Sequence, residues 1–417
     1  MSIGRTAAAV AAVALSVLVA TPAAAQPATT STAEAGAGWL ARRLVDGERF
    51  EVDYGGKLYP DHGGTIDAVL AFAAAGVAED NALKATAWLA EPEVLPGYIG
   101  DPKDSAYAGS YAKLALTAQV RGEDPTAFGG VDLITGLNSL LTASGRFSDK
   151  SPYPGDYSNG FSQSFAVLAL ERHGTAPKAA VDYLAATACP TGGYPLDLEQ
   201  ATCVAQVDAT AMAAQALLAA GRTAEAGKAV EWLVAQQQAD GGFVDVLQKG
   251  DAGTTTNANT TGLAAQALRV AGATAAADKA VAYLKALQVG CGAEQAGAIA
   301  YDAKGFSPAN ATRATAQAVL GLVGTGFATL SSSDAKATAP VLDCPATTTT
   351  TTVATTTTSE TPAAGPQAQQ PEVLARTGVP VAPALWLGTL LVVAGALALV
   401  LGRRRYAPAR QSSSVRR

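Results

Sequence analysis

The sequence predicts an all-α protein of six stacked helical hairpins, and three observations carry that prediction. The phrase Lys228-Ala-Val-Glu-Trp232-Leu-Val-Ala-Gln-Gln-Gln-Ala-Asp-Gly241-Gly242-Phe243 recurs along the chain in weaker forms. Each copy stands beside an alanine-rich segment of helical character. Each of these segments ends at a glycine, and Gly76, Gly122, Gly174, Gly221, Gly272 and Gly324 are 46, 52, 47, 51 and 52 residues apart. A period near 50 that holds two helices indicates hairpins that bury their apolar faces only by stacking on one another.

Taken in order, residues 1–25 have a basic start at Arg5, an apolar run from Ala7 to Ala20 and the small-residue site Ala23-Ala24-Ala25. This pattern predicts a secretory signal peptide cleaved before Gln26. A domain spanning 26–344 follows. Its repeat phrases are degenerate around Trp39-Leu40 and Leu137, and clearer from Lys84 through Trp88-Leu89 to Gly97-Tyr98, from Lys178 through Tyr183-Leu184 to Gly193-Tyr194, and from Lys279 through Tyr283-Leu284 to Gln288. These segments hold more Lys, Glu and Asp than their partners and are expected to form an outer layer. The partners, 65–76, 109–122, 162–174, 208–221, 259–272 and 310–324, show almost no polar face and are expected to be buried all round. Glycine after each is the expected left-handed cap, because other residues adopt that backbone region at a cost.

Lys228, Ala229, Trp232, Leu233, Gln237, Gly241 and Phe243 match, position by position, a pattern of basic residue, alanine, aromatic, aliphatic, glutamine, glycine and aromatic. In this the chain resembles the squalene cyclase and protein prenyltransferase repeat family, with phenylalanine where that family usually has tryptophan. The copy at Lys279 fits through Gln288 and Gly292 and then loses the aromatic. The resemblance spans roughly 33–330 and implies an (α/α)6 toroid, with six inner helices around a central cavity and six outer ones.

The catalytic signatures of that family are missing. No Asp-x-Asp-Asp tetrapeptide occurs, and the only two histidines, His62 and His173, stand beside no cysteine. Zinc needs three or four converging ligands, so His62 reads as a loop residue, His173 as a helix-end residue, and neither a metal nor a cofactor is expected. Four cysteines in an exported chain suggest disulfides, Cys189 with Cys203 and Cys291 with Cys344. Gly290-Cys291-Gly292-Ala293-Glu294-Gln295 also resembles the motif of complement-type thioester domains, but Ala293 is an insertion that moves Gln295 out of register, and Cys344 needs a partner.

Polar residues gather where the inner helices begin: Asp208-Ala-Thr210, Asn257, Asn259-Thr-Thr261 and Asn310-Ala-Thr312-Arg313, with Gln215, Gln266 and Gln317 each seven residues beyond the Asp or Asn. Asp and Asn are preferred N-caps, worth about 1 kcal/mol each, so repetition alone is what a structural rule would give. The functional reading is that inner helices run parallel and collect their N-terminal dipoles at one cavity mouth. Tyr111, Tyr157, Phe161, Gln163 and Tyr301, near equivalent starts, would then supply part of a pocket wall, so the candidate ligand-binding residues are Asp208, Thr210, Asn257, Asn259, Asn310, Arg313, Tyr111, Gln163 and Tyr301. No residue is assigned a catalytic role.

Residues 345–373 are almost entirely Thr, Ala, Pro and Gln, a composition that cannot bury a core and reads as a disordered stalk. Leu374-Ala375-Arg376-Thr377-Gly378, an uncharged apolar run from Ala384 to Leu401 and Arg403-Arg404-Arg405 follow in that order. Eighteen apolar residues make a helix of about 27 Å, long enough to span a membrane, with its basic end cytoplasmic. The order of pentapeptide, span and basic tail resembles the sorting signal of Gram-positive wall proteins, with Ala375 where proline is commoner. It implies cleavage after Thr377 by a sortase and attachment to peptidoglycan, with the helix 384–401 holding the chain in the membrane beforehand. Without residues 1–25 and 378–417 the chain keeps 22 basic and 35 acidic residues, a net charge of −13 that argues against nucleic-acid partners. These readings predict a wall-anchored, non-catalytic toroid that binds an unknown small molecule or surface partner. The alternatives are an extracellular enzyme of isoprenoids or glycans using Asp67 or Asp208 as its acid, and a structural spacer or adhesin.

Overall fold

The computed structural model describes residues 26–101, 103–246 and 252–345. The predicted signal peptide, sorting signal and span 384–401, with all but the first residue of the stalk, lie outside the described residues. In chain order, β1 (Ala28–Thr29) and α1 (Thr32–Ala41) are followed by β2 (Phe50–Tyr54), β3 (Lys57–Asp61), α2 (His62–Ala75), α3 (Glu79–Leu89), the one-turn α4 (Pro96–Ile99), α5 (Ala108–Arg121) and α6 (Leu133–Asn138). Then come α7 (Gly160–His173), α8 (Lys178–Ala186), α9 (Val207–Ala219), α10 (Thr223–Gln236), β4 (Phe243–Val246), β5 (Ala252–Asn257), α11 (Ala258–Val270), α12 (Thr274–Ala286), α13 (Pro308–Val323) and β6 (Val341–Leu342).

Helices α2, α5, α7, α9, α11 and α13 pack each on the next, and α13 packs back on α2 and α1, so the stack closes into a ring. The outer layer is α1, α3, α6, α8, α10 and α12. As the composition of the inner segments requires, they are buried on nearly every side: Ala211, Met212, Ala214, Ala216 and Leu217 of α9 are all 0% exposed. The helix stops follow the glycine rule, with Gly76, Gly122, Gly221, Gly272 and Gly324 at φ of 67°, 75°, 72°, 78° and 77°. Gly174 differs, ending α7 with an extended φ of 169°.

The ring is mostly helical, and three two-stranded sheets that the sequence reading did not include are added to it. β2 and β3 form an antiparallel hairpin turned at Gly55-Gly56, both at positive φ, the backbone that a two-residue hairpin turn demands. β4 and β5 form a second hairpin, and β1 pairs in parallel with β6. The hairpins occupy the passage from an outer to an inner helix, where the chain must satisfy its backbone without a helix to do so.

One hydrogen bond recurs at that passage. Thr65, Gln163, Thr210, Thr261 and Thr315, all fully buried, accept the backbone N–H of Phe50, Phe147, Tyr194, Phe243 and Ile299 at 2.8–2.9 Å. Tyr194 and Phe243 are the aromatic residues that end their repeat phrases, so the bond clasps each phrase to the inner helix that follows it. The threonine hydroxyls keep their own proton for a backbone carbonyl, as Thr210 does towards Gln206 at 2.6 Å. Only the second repeat breaks the rule, with Tyr111 in place of a clasping side chain.

The sixth repeat shifts the register expected from Asn310-Ala-Thr312. Helix α13 starts early, at Pro308, and the clasp falls on Thr315. Gln317 therefore stands off the level of Gln215 and Gln266. The last two meet, Gln215 Nε2 donating to Gln266 Oε1 at 3.1 Å, and each also holds the segment after α13: Gln266 donates to the Thr325 carbonyl at 2.7 Å and Gln215 accepts from Phe327 N–H at 3.2 Å.

That segment, residues 324–345, is a strap across the C-terminal ends of the inner helices. Arg172 donates to the carbonyls of Phe327 and Ala328, both at 2.9 Å. Ser332 and Lys336 N–H donate to the carbonyls of Val120 and Gly76, two of the orphan acceptors that helix ends leave. Ala78, Glu79 and Asp80 at the start of α3, which has no side-chain cap, donate instead to Thr338, Lys336 and Ala337 of the strap. The strap ends on α1 and β1, with Cys344 bonded to Cys291. Cys189 pairs with Cys203, so both expected disulfides form. Loops of this size are worth about 4 and about 3 kcal/mol respectively in the chain-entropy account. Gln295 is engaged by Trp39 Nε1 at 3.1 Å and by Arg43, and Cys291 has no thiol to offer a thioester.

Thr210→Val keeps the shape of the clasp and removes its acceptor, leaving Tyr194 N–H buried and unpaired. It is expected to cost about 1–3 kcal/mol, read as a lower midpoint in urea with an unchanged m-value.

Candidate functional site

Each inner helix is preceded by an outer helix from which the chain returns, so all six inner helices point their N-termini at one rim. Two residues before and two after the clasp position lie four apart on one face of each helix: Gly63 and Asp67, Gly109 and Lys113, Phe161 and Phe165, Asp208 and Met212, Asn259 and Leu263, Arg313 and Gln317. On α2, α5 and α7 both members keep partial exposure. That stripe is the wall of an axial recess. On α9 and α11 the recess is closed one turn down, where Met212 and Leu263 are 0% and 3% exposed. Phe327 of the strap, 2% exposed, stops the far end against Phe165 with ring centroids 5.8 Å apart.

The recess is divided chemically. Phe161 and Phe165, with centroids 6.4 Å apart, make an aromatic wall. The adjoining wall, on α5 and α2, holds Lys113, whose Nζ lies 2.5 Å from Asp67 Oδ1 and donates to the Gly63 carbonyl at 3.2 Å. Burial pulls the Lys113 ammonium down, but the Asp67 carboxylate outweighs it and holds the group above the usual lysine range, while Arg313 opposes from nearby. Beside this pair, burial pushes the Tyr98 phenol up, with Lys113 and a hydrogen bond to Ser110 acting the other way. Asn259 Oδ1 and Gln317 Oε1 are buried acceptors with no donor among the described residues.

The candidates from sequence divide accordingly. Asp208, Asn259 and Arg313 share equivalent places at the rim. Asp208 and Asn259 sit in the first turn and do not serve as N-caps. The cap of α11 is Asn257, 2% exposed, whose side chain accepts from Thr260 N–H at 3.0 Å. Thr210 and Gln163 face their clasps: Gln163 also donates to the carbonyls of Gly145 and Ala180, both at 3.0 Å. Asn310 is exposed in the extra turn of α13. Tyr301 is half-buried, and its carbonyl accepts Ala258 N–H at the start of α11. Tyr111 is buried away from this wall, against α6.

His62 is no loop residue. It opens α2 and lies between two aromatic rings, Trp88 at 5.1 Å and Tyr98 at 5.9 Å, with interplanar angles of 25° and 17°. Its partners stand 26 and 36 positions away, so no local signal in the sequence announced the stack. Burial lowers its pKa, with Asp61 and a hydrogen bond to the Val94 backbone opposing. Among the described residues no three His, Cys, Asp or Glu side chains converge as a metal site would require.

No family model matches the chain, and no curated protein matches it either. Among solved structures it is similar to an unsaturated glucuronyl hydrolase from Bacillus sp. GL1, with a TM-score of 0.52 and 13% identity over 72% of this chain and 98% of that one. It is similar to the type II terpene cyclase MstE from Scytonema in complex with geranylgeranyl dihydroxybenzoate, with a TM-score of 0.50 and 15% identity over 70% and 95%. A protein from Actinoplanes matches with a TM-score of 0.50 and 16% identity over 70% and 98%. These likenesses show the fold, an α/α toroid that hosts glycan hydrolysis in one protein and terpene cyclisation in another.

The His62 stack generates a pH dependence. A histidine whose folded pKa lies below its unfolded value favours folding fully only above the unfolded value, about 6.5, and that contribution is lost as pH falls through the folded value. Melting temperature is expected to fall on acidification below pH 6.5 in the native chain and to fall less in His62→Phe, which preserves the stacked ring; equal slopes would show that His62 is not the titrating group.

Proposed function

We propose that this chain is an exported, wall-anchored binding protein whose axial recess takes up a small ligand without transforming it. The observation that carries the reading is the pair Asn259 and Gln317, partly exposed on the inner-helix wall, whose Oδ1 and Oε1 are turned out of solvent without a donor among the described residues. A buried acceptor without a donor costs about 1–3 kcal/mol, and a ligand with hydroxyl or amine donors would remove that cost. The aromatic wall of Phe161 and Phe165 suits an apolar portion of the same ligand.

An enzymatic reading needs a proton donor in the recess. Asp67 is engaged as the partner of the Lys113 ammonium, and Asp208 is not free either. Two disulfides fit an oxidising compartment, which is where the signal peptide would deliver the chain. Sortase and peptidoglycan are the partners that Leu374–Gly378 proposes. The acidic surface keeps nucleic acid off the list, and the apolar run 384–401 accounts for membrane attachment before sorting.

The test is the native intact mass of the protein released from the surface of the producing organism. An excess over the sequence mass that disappears on denaturation is expected, and Asn259→Leu should weaken the affinity about tenfold, the loss of one buried hydrogen bond, and so lower the occupied fraction. A mass short only of the hydrogens of two disulfides, in both proteins, would sink the proposal.

A further inference from the structure

Five of the six repeats place a clasping side chain near the start of the inner helix, and the second places Tyr111 at the equivalent position. Departures from a repeated structural rule tend to mark function. The ring of Tyr111 lies against α6 so closely that a Cβ on Gly136 would sit 2.3 Å from it, which explains the glycine in that helix. Tyr111 is only 7% exposed, its hydroxyl has no hydrogen-bond partner among the described residues, and the residue lines a pocket of about 550 Å3 between repeats two and three. The volume falls within the range of about 300–1,000 Å3 usual for small-molecule sites.

The rest of the pocket wall selects the chemistry. Ser139, Thr142 and Ser148 have already spent their protons, on the carbonyls of Gly136 and Arg146 at 2.7 and 2.8 Å and on the Asp156 carboxylate. They therefore face the pocket with lone pairs, as acceptors. A phosphate or sulfate brings only acceptors of its own and is badly matched to them, whereas a polyol brings the hydroxyl donors they need. Leu140 and Leu141 offer an apolar surface for the C–H face of a ring. Lys150, exposed and without an ion-pair partner among the described residues, is held at the rim by paired backbone bonds to Ala106, both 2.8 Å. Burial pushes the Tyr111 phenol up, so it remains a donor at neutral pH.

We infer that this lateral pocket binds an acidic monosaccharide, its ring hydroxyls donating to Ser139, Thr142 and Ser148 and its carboxylate accepting from Tyr111 and Lys150. The site is separate from the axial recess and stands whether or not the recess holds a ligand.

Titration of the full-length protein with glucuronate, glucose and inorganic phosphate, followed by calorimetry, tests this. Glucuronate is expected to saturate, with glucose and phosphate at least tenfold weaker. Lys150→Gln should abolish the preference for glucuronate over glucose. Tyr111→Phe keeps the ring that supports α6, so its melting temperature should match the native value while glucuronate binding weakens at least tenfold. Asn259→Leu in the recess should leave it unchanged. The inference is overturned by an absence of saturable glucuronate binding, by phosphate binding as tightly, or by affinity that survives both Tyr111→Phe and Lys150→Gln or is lost in Asn259→Leu.

Discussion

Closure of the ring, by α13 on α2 and α1 and by the strap that ties the helix ends together, is the constraint on which the rest of the structure depends. Six stacked hairpins could continue as an open spiral, with the apolar faces of the first and last left bare. Here α13 meets α2 and α1, and the strap then runs back beneath α11, α9, α7, α5 and α2 in turn. It donates to carbonyls that the helix ends leave unpaired and lends its own carbonyls to the uncapped start of α3. The backbone at the bottom of the ring is thus satisfied by one segment, and the cysteine at its end makes the arrangement covalent.

The strap also decides what sort of cavity the toroid can have. Phe327 packs against Phe165 at the strap side of the ring, opposite the rim where the six helix N-termini gather. The polar wall of the recess is set by a few substitutions within a repeated frame: Asp67 and Lys113 where other repeats carry Met212 or Leu263, and Arg313 where they carry Asp208 or Asn259. The frame is held by clasps that hardly vary, and this frees the neighbouring positions to differ.

Much of this was legible in the chain. Stop glycines gave the inner helices and their count, since only that residue enters the left-handed cap without strain. The two disulfides followed from four cysteines in a chain whose first residues read as a signal peptide. The clasps were hidden because each joins a side chain to a backbone N–H some sixteen positions away, which no helical or strand period reveals. Asp208 and Asn259 looked like caps because they precede threonines, yet the caps fall two residues earlier, as Asn257 shows. Gln317 seemed to repeat Gln215 and Gln266, but Pro308 starts α13 early and shifts the register. The β2–β3 hairpin had a readable turn in Gly55-Gly56, masked by the stronger helical pattern on either side. Tyr111 was named for its position near a helix start, whereas what distinguishes it is the clasp it lacks.

The most direct test of closure is hydrogen exchange at the backbone amides of the strap in the disulfide-intact protein. If the strap completes the ring, the amides of Phe327, Ser332 and Lys336 exchange only as slowly as those of the clasped residues Tyr194 and Phe243, in the same global unfolding event. Exchange of the strap at loop rates, with the clasps still protected, would show that the toroid closes without it and would contradict the account.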